Sequence, residues 1–332
     1  MKRFLFAALC FALLSTQAFA GDLIVNLDYS DGDVSQHEYE GGTDELVYGG
    51  DDINTGVISD QPYFEDDEAQ TGDGNTVEVT PQYNRGSIAL NTFITPNTQI
   101  ISVPVSYKLV PRFKLKASFP YVRRTIEDDD GEEYTRSGIG DISAGFSWLS
   151  YKTSKTESVT DLMVTLPTGD ADGEDSEFAV PVGSGGYSLY VSQKLSHRVG
   201  TSRFTILGDV AYRHFFSSDY AIGDTDQERE RGGQITLSGG TRYKFNDRIR
   251  AAARIRYLRV AEGQIKQGDG DWEDSDDYMA ATDLILTVQT RFYKRNWFVA
   301  GVVIPVATDY DDDVEDEEGR KWAFLASVSA PF

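Results

Sequence analysis

The fold is decided by the stretch GQITLSGGTRYKFNDRIRAAARIRYLRV, residues 233–260. Ile235 and Leu237 alternate with polar residues, and after a short Asn-Asp turn Arg254 and Arg256 alternate with apolar residues. A period of two places apolar side chains on one face of a strand and polar side chains on the other. A charge at every second position opposite an apolar row predicts an antiparallel hairpin with one face in lipid and the other in water.

The same alternation continues from residue 85 and predicts twelve strands. We place them at residues 85–95, 99–109, 112–126, 138–151, 159–168, 186–195, 203–216, 233–245, 249–260, 279–293, 297–308 and 321–332. Short turns alternate with long polar loops, which we place at 127–136, 169–185, 217–232, 261–277 and 309–320. This asymmetry is typical of outer-membrane barrels. We therefore predict an all-β fold, a transmembrane antiparallel up-and-down β-barrel of about twelve strands, or fourteen if residues 22–80 add a hairpin.

The N-terminus has the features of a bacterial secretory signal peptide. Lys2 and Arg3 precede an apolar run, and the run is followed by a small-x-small site that ends at Ala20. We expect cleavage between Ala20 and Gly21 and export to the cell outer membrane. The chain then divides into a signal peptide (1–20), an acidic N-terminal extension (21–84) and the outer-membrane β-barrel (85–332).

The C-terminus is an apolar face that ends on an aromatic residue. Trp322, Phe324 and Val328 alternate with other residues up to Phe332. This pattern resembles the C-terminal signature that barrel-assembly machinery recognises in its clients. We expect that machinery as a partner through Phe332, and outer-membrane lipid and lipopolysaccharide as the surroundings of the wall.

The formal charge of −23 is unevenly distributed. Acidic residues concentrate in the long loops, where they solvate the surface or bind divalent cations weakly through hard oxygen ligands. The candidate Ca²⁺ or Mg²⁺ ligands are Asp128, Asp129, Asp130, Asp311, Asp312 and Asp313. None fits the EF-hand spacing, and the acidic exterior disfavours nucleic-acid binding.

Residues 22–80 carry 17 Asp plus Glu and no Lys or Arg. The segment is either a disordered tail or a plug that docks in a basic lumen. Nine basic residues lie on the polar side of their predicted strands and are our candidate lumen residues: Lys114, Lys116, Arg213, Arg242, Lys244, Arg250, Arg254, Arg256 and Arg291.

Catalytic groups are scarce. After the predicted leader the chain has no cysteine and only three histidines. His214 faces the membrane in the predicted strand, but Phe216, not a serine, is the next residue on its face. We interpret His214 as part of an interfacial aromatic girdle. We expect neither an enzyme nor a cofactor, since no phosphate loop, zinc spacing or nucleotide motif is present.

Three glycine-rich segments resemble a known family. Ser137-Gly138-Ile139-Gly140-Asp141 opens one predicted strand, Leu166-Pro167-Thr168-Gly169 closes the next, and Gly183-Ser184-Gly185-Gly186 opens the third. Together they resemble the MetA-pathway of phenol degradation family. The resemblance implies an outer-membrane barrel that transports aromatic or other hydrophobic compounds.

Three functions remain open at this point. We expect a porin-like outer-membrane channel or transporter for passive passage of small solutes. One alternative is a transporter of hydrophobic or aromatic compounds in which residues 22–80 act as a hatch. The other alternative is a non-conducting structural or surface-interaction barrel that presents its acidic loops.

Overall fold

The computed structural model describes residues 86–127, 133–170, 182–222, 225–267, 270, 272–275, 278–293, 296–310 and 322–331. The predicted signal peptide with its cleavage site at Ala20 and Gly21, the acidic extension, and Phe332 lie outside the described residues. So do the candidate metal ligands, Asp128 to Asp130 and Asp311 to Asp313.

The described residues form seventeen strands. They are β1 (Gly86–Ile94), β2 (Thr98–Val110), β3 (Phe113–Glu127), β4 (Glu133–Ile139), β5 (Ile142–Lys152), β6 (Thr156–Leu166), β7 (Ser188–Arg198), β8 (Phe204–Phe215), β9 (Ser218–Ile222), β10 (Thr225–Glu230), β11 (Gln234–Lys244), β12 (Ile249–Val260), β13 (Gly263–Gln267), β14 (Glu273–Ser275), β15 (Met279–Tyr293), β16 (Asn296–Tyr310) and β17 (Ala323–Pro331). In the part of the chain that is described, no helix is long and apolar enough to cross a bilayer.

Twelve of these strands close into an antiparallel barrel wall. The order around the wall is β1, β2, β3, β5, β6, β7, β8, β11, β12, β15, β16 and β17. β17 pairs directly with β1, from Ser87 opposite Pro331 to Ile94 opposite Phe324. The predicted twelve-strand barrel is confirmed. The fourteen-strand alternative is wrong, because β1 has β2 on one side and β17 on the other.

The two faces of the wall differ as the alternation predicts. Large apolar side chains are exposed on the outward face, for example Leu237 and Val288. The inward face holds buried polar side chains such as Ser102, Gln289 and Ser327. Apolar groups outside and hydrogen-bonding groups inside are the arrangement that a barrel in lipid requires.

Three of the predicted loops are wrong in part, because residues 133–136 of the first belong to β4 and the errors in the other two are larger. Residues 217–232 and 261–277 contain four short strands, which form a separate sheet in the order β14-β13-β10-β9. These strands have sequences such as TDQERE and GQIKQ. Charged residues favour strands weakly, and the segments have no apolar row. These segments form strands because the two hairpins pair with each other. The alternation of apolar and polar residues does not predict this pairing.

The predicted strand 138–151 is also interrupted. β4 ends at Ile139 and β5 begins at Ile142. β3 pairs with β5 from Phe113 to Ser118 and with β4 from Tyr121 to Glu127. The wall therefore has a break at Gly140 and Asp141, where side-chain hydrogen bonds replace part of the ladder.

Candidate functional site in the barrel lumen

The nine candidate basic residues all lie on inward positions of the wall. They stand on β3 (Lys114, Lys116), β8 (Arg213), β11 (Arg242, Lys244), β12 (Arg250, Arg254, Arg256) and β15 (Arg291). The register brings those of β11, β12 and β15 together on one side of the lumen. We call Arg242, Lys244, Arg250, Arg254 and Arg291 the basic sector. Lys114, Lys116 and Arg213 lie on other strands of the wall.

Within the basic sector, positive charges stand next to one another. Lys244 is directly opposite Arg250 in the β11–β12 ladder. Directly opposed like charges repel each other and destabilise a sheet. Their fields add, so this part of the lumen has a positive potential that attracts a negative group. The Lys244 Nζ lies 2.8 Å from the carboxylate of Asp247 in the turn. The hydrogen bond from Lys244 lowers the pKa of the exposed Asp247 carboxyl.

Trp297 orients two members of the basic sector. The Arg250 guanidinium lies 4.6 Å from the Trp297 ring centroid, and the Arg291 guanidinium lies 5.9 Å from it. Trp297 is only 4% exposed. Cation–π contacts hold each guanidinium near the ring without neutralising its charge. Sequence reasoning missed Trp297, although its position opposite Arg291 follows from the β15–β16 hairpin.

Arg256 forms an ion pair with Asp283 on the neighbouring strand. Its Nη2 donates to Asp283 Oδ2 at 2.6 Å, and its Nε donates to the same oxygen at 3.0 Å. The two residues are opposite each other on β12 and β15. Arg256 therefore contributes to the structure of the lumen wall more than to its electrostatic potential.

A second charged group joins β3, β6 and β7. Asp161 on β6 is 2% exposed and lies 3.3 Å from Lys116 Nζ and 3.0 Å from Lys194 Nζ. The Ser147 hydroxyl donates a further hydrogen bond to the same carboxylate. Asp161 and Lys194 were missed by the sequence analysis. Both occupy inward positions in the alternation of the predicted strands, and this alternation could have identified them as lumen residues.

Arg213 lies against aromatic rings. Its guanidinium is 5.5 Å from the Tyr190 ring centroid and 5.8 Å from that of Phe215. The side chain is buried.

An apolar cluster adjoins the basic sector on the inner face of the wall, where Ile285 is directly opposite Arg254. Nine buried residues from β1, β2, β3, β15, β16, β17 and one loop form a cluster that we call the apolar sector: Phe93, Ile100, Val122, Val182, Ile285, Val299, Val303, Ala323 and Leu325. The residues of the wall strands occupy inward positions, as shown by register pairs such as Phe93 with Ile100 and Ile100 with Val122. The alternation predicted polar residues on the inward face, so it did not predict this cluster.

Val182 reaches the apolar sector because its loop is tied to the wall break. Asp141 accepts hydrogen bonds from Gly169 N at 2.9 Å and from Ser184 N at 2.6 Å, and a further one from the Ser184 hydroxyl. Gly169 and Gly183 approach so closely that a Cβ on either would lie 2.6 Å from backbone atoms of the other. Only glycine permits that approach. We call these contacts the Asp141 latch.

His214 lies on the outward face of β8. Its ring meets the Phe216 ring edge-on, with centroids 4.8 Å apart. This contact is consistent with the interpretation of His214 as a girdle residue.

The comparisons with known proteins agree with this architecture. The family model described as "Putative MetA-pathway of phenol degradation" matches residues 59–282, which is more than half of the chain. The chain belongs to this family. The glycine-rich segments that carried the resemblance lie within the match, and the Asp141 latch brings all three together.

Solved structures share the barrel fold. The COG4313 outer membrane channel from Pseudomonas putida F1 is 13% identical, with a TM-score of 0.58 over 74% of this chain and 94% of that chain. The CymD monoaromatic hydrocarbon channel is 11% identical, with a TM-score of 0.44 over 75% and 88%. The KdgM porin is 10% identical, with a TM-score of 0.43 over 74% and 99%. A comparison with curated protein sequences gives no significant match. The fold is that of an outer-membrane β-barrel.

Proposed function

We propose that the chain is a passive outer-membrane channel for small solutes and that its lumen prefers anions. The observation that carries the proposal is the charge on the inward face of β11, β12 and β15. Asp283 is the one acid on this face of the three strands. Six basic residues stand on the same face: Arg242, Lys244, Arg250, Arg254, Arg256 and Arg291. Arg and Lys patches favour anions in pores, because a low-dielectric wall focuses their field.

The acidic loops do not cancel this preference. Salt screens a charge in bulk water within roughly 8–10 Å at physiological ionic strength, so loop charges outside the lumen would have a short range. The basic sector acts on a solute that has already entered the confined lumen. Selectivity therefore follows the lumen charge at moderate salt, whereas the loop charges reduce anion entry at low salt.

The test is the reversal potential in planar bilayers under a KCl gradient. The mature protein should prefer anions, and changing Arg242, Arg250 and Arg254 to Gln should reduce the preference. A matched control changes three exposed turn residues, Lys155→Gln, Arg203→Gln and Arg248→Gln, which removes the same charge outside the lumen. A cation preference that the lumen substitutions leave unchanged would overturn the proposed selectivity.

The apolar sector favours a second function, the passage of hydrophobic or aromatic compounds with residues 22–80 as a hatch. Nine clustered apolar side chains inside a barrel provide a surface that a wholly polar pore lacks. Under this function, deletion of residues 22–80 should speed the uptake of an uncharged aromatic compound into proteoliposomes. If the deletion changes chloride conductance alone, the hatch is not needed for hydrophobic solutes. A barrel that conducts nothing with or without residues 22–80 would support a structural role.

The position of the protein in the cell is part of the proposal. The predicted leader would export the chain, and Phe332 would recruit barrel-assembly machinery. The exposed apolar outer face would then be covered by outer-membrane lipid, with lipopolysaccharide and divalent cations at the loops. Fractionation after Phe332→Ser, with the barrel's heat-dependent gel mobility as the folding assay, tests the assembly step.

A further inference from the structure

The middle of the outward row of β7 carries an amide where lipid is expected. Val191, Gln193 and Leu195 point outward in succession, and Val191 and Leu195 are 39% and 48% exposed. Gln193 is the sixth of the eleven residues of the strand. Its register partner on β8 is Val210, which is opposite Leu237 on β11. An amide therefore interrupts the outward apolar row in the middle of β7.

Gln193 belongs to a polar patch on three adjacent strands. Thr160 Oγ1 on β6 donates to Gln193 Oε1 at 2.6 Å. Gln193 Nε2 donates to Ser150 Oγ on β5 at 3.3 Å and also to Ser158 Oγ on β6. We call Ser150, Ser158, Thr160 and Gln193 the Gln193 patch. In the described wall, no other strand places an amide or a charged side chain at the centre of its outward row.

Hydrocarbon is a poor environment for this patch. An amide oxygen accepts two hydrogen bonds and each hydroxyl accepts as well as donates. Lipid tails supply neither donors nor acceptors. A hydrogen-bonding group that has no partner within the patch therefore has none in a bilayer. A protein surface with its own amide and hydroxyl groups would supply partners for these groups, as Gln and Ser do between membrane-spanning segments.

We propose that the Gln193 patch is the centre of a surface through which two copies of this chain associate. Both N–H groups of Gln193 donate within the patch, but its oxygen has a second acceptor site and the Ser158 hydroxyl can still donate, so the patch complements its own copy across a two-fold axis. The exposed Val191 and Leu195 flank it on the same strand and supply self-complementary apolar contact. The strands involved are β5, β6 and β7, while the basic sector lies on β11, β12 and β15. Association therefore does not depend on the proposed selectivity.

Cysteine cross-linking tests the proposal directly. The chain has one cysteine, Cys10, within the predicted leader, so Gln193→Cys gives a mature protein with a single thiol. Oxidation of this variant in outer membranes should give a disulfide-linked dimer on non-reducing gels. The matched control is Thr241→Cys, an outward residue near the middle of β11, which should stay monomeric. Equal cross-linking of the two variants, or none at Gln193→Cys, would overturn the proposal.

The mass of the detergent-solubilised full mature protein gives an independent measurement. We expect a dimer for the unchanged protein and a monomer for Gln193→Leu, which retains heat-dependent gel mobility if it folds. Val191→Leu, an apolar exchange on the same row, should leave the dimer intact. A monomeric unchanged protein overturns the proposal, as does a Gln193→Leu dimer. Cross-linking in cells to a different protein would assign the surface to that protein and overturn association of two copies.

Discussion

Arg256 donates two hydrogen bonds to a single oxygen of Asp283, at 2.6 and 3.0 Å, across the β12–β15 ladder. Both side chains are almost completely removed from solvent, at 6% and 0% exposure. Removing one member of such a pair leaves a buried charge without its main counter-charge. The loss is costly because neither water nor lipid replaces the missing partner.

Asp283→Asn should therefore destabilise the barrel by about 3–5 kcal/mol. The expected readout is a lower midpoint temperature in the heat-dependent gel shift of the purified protein. Replacing both residues, Arg256→Met with Asp283→Leu, should restore much of the stability, because an apolar pair leaves no charge to compensate.

Thr287→Val changes a neighbouring inward residue of β15 without removing a charge, and it serves as the control. A midpoint for Asp283→Asn equal to that of this control would show that the ion pair contributes little.

The alternation predicted the wall because lipid and lumen impose different chemistry on successive residues. Each of the twelve strands was located to within a few residues, and the hairpin of β11 and β12 was predicted almost to its ends. The separate sheet of β9, β10, β13 and β14 was missed because its pairing depends on two loops meeting. A single sequence contains no signal for that encounter.

The lumen was only partly predictable. Parity on the strands placed the nine basic residues, but it does not tell which of them meets an acid. Arg256 pairs with Asp283, whereas Arg250 stacks on Trp297. The register of β12, β15 and β16 decides these partners, and strand parity does not specify that register. The apolar sector was missed because it draws on six strands from both ends of the barrel sequence, which the pairing of β17 with β1 brings together.

The Asp141 latch predicts a change in conductance. In Asp141→Asn, the new amide nitrogen cannot accept the hydrogen bonds that Ser184 donates to Oδ2. The segment that carries Val182 then loses its attachment to the wall break, and single-channel conductance should rise. The measurement is the conductance in 1 M KCl, about seven times physiological ionic strength, where surface charges are largely screened.

Asp209→Asn is the matched control for the latch. It removes the same charge from an inward position, but Asp209 contacts Ser238 on a neighbouring strand and not the loop. Equal conductance changes in the two variants would mean that lost charge, not the released segment, is responsible.

The loop acids predict a calcium effect on stability. If Asp311, Asp312 and Asp313 bind Ca²⁺, the ion stabilises the folded state by mass action, by about 1.4 kcal/mol at ten times Kd. The midpoint of the heat-dependent gel shift should then rise with millimolar CaCl₂ at low salt. Replacing the three aspartates with Asn should remove most of the gain, and a gain of the same size in that variant would exclude these ligands.

Asp161 sets the net charge of the second lumen group, so it should influence selectivity in a predictable direction. The carboxylate holds Lys116 and Lys194, whose side chains remain 22% and 15% exposed while Asp161 is 2% exposed. The two ammonium groups therefore still face the lumen, and Asp161 offsets one of their charges. Asp161→Asn should strengthen the anion preference, measured as the reversal potential under a KCl gradient.

Two further variants separate the effect of charge from damage to the fold. Adding Lys194→Gln to Asp161→Asn restores the original net charge, so the anion preference should return toward that of the unchanged protein. Asp247→Asn removes one acid from an exposed turn, where its side chain is 80% accessible, and solvent screening should leave the reversal potential nearly unchanged. Asp161→Asn also loses a buried ion pair, so its midpoint in the gel-shift assay should fall. A folded Asp161→Asn barrel with unaltered selectivity would place the permeating ions away from β3, β6 and β7.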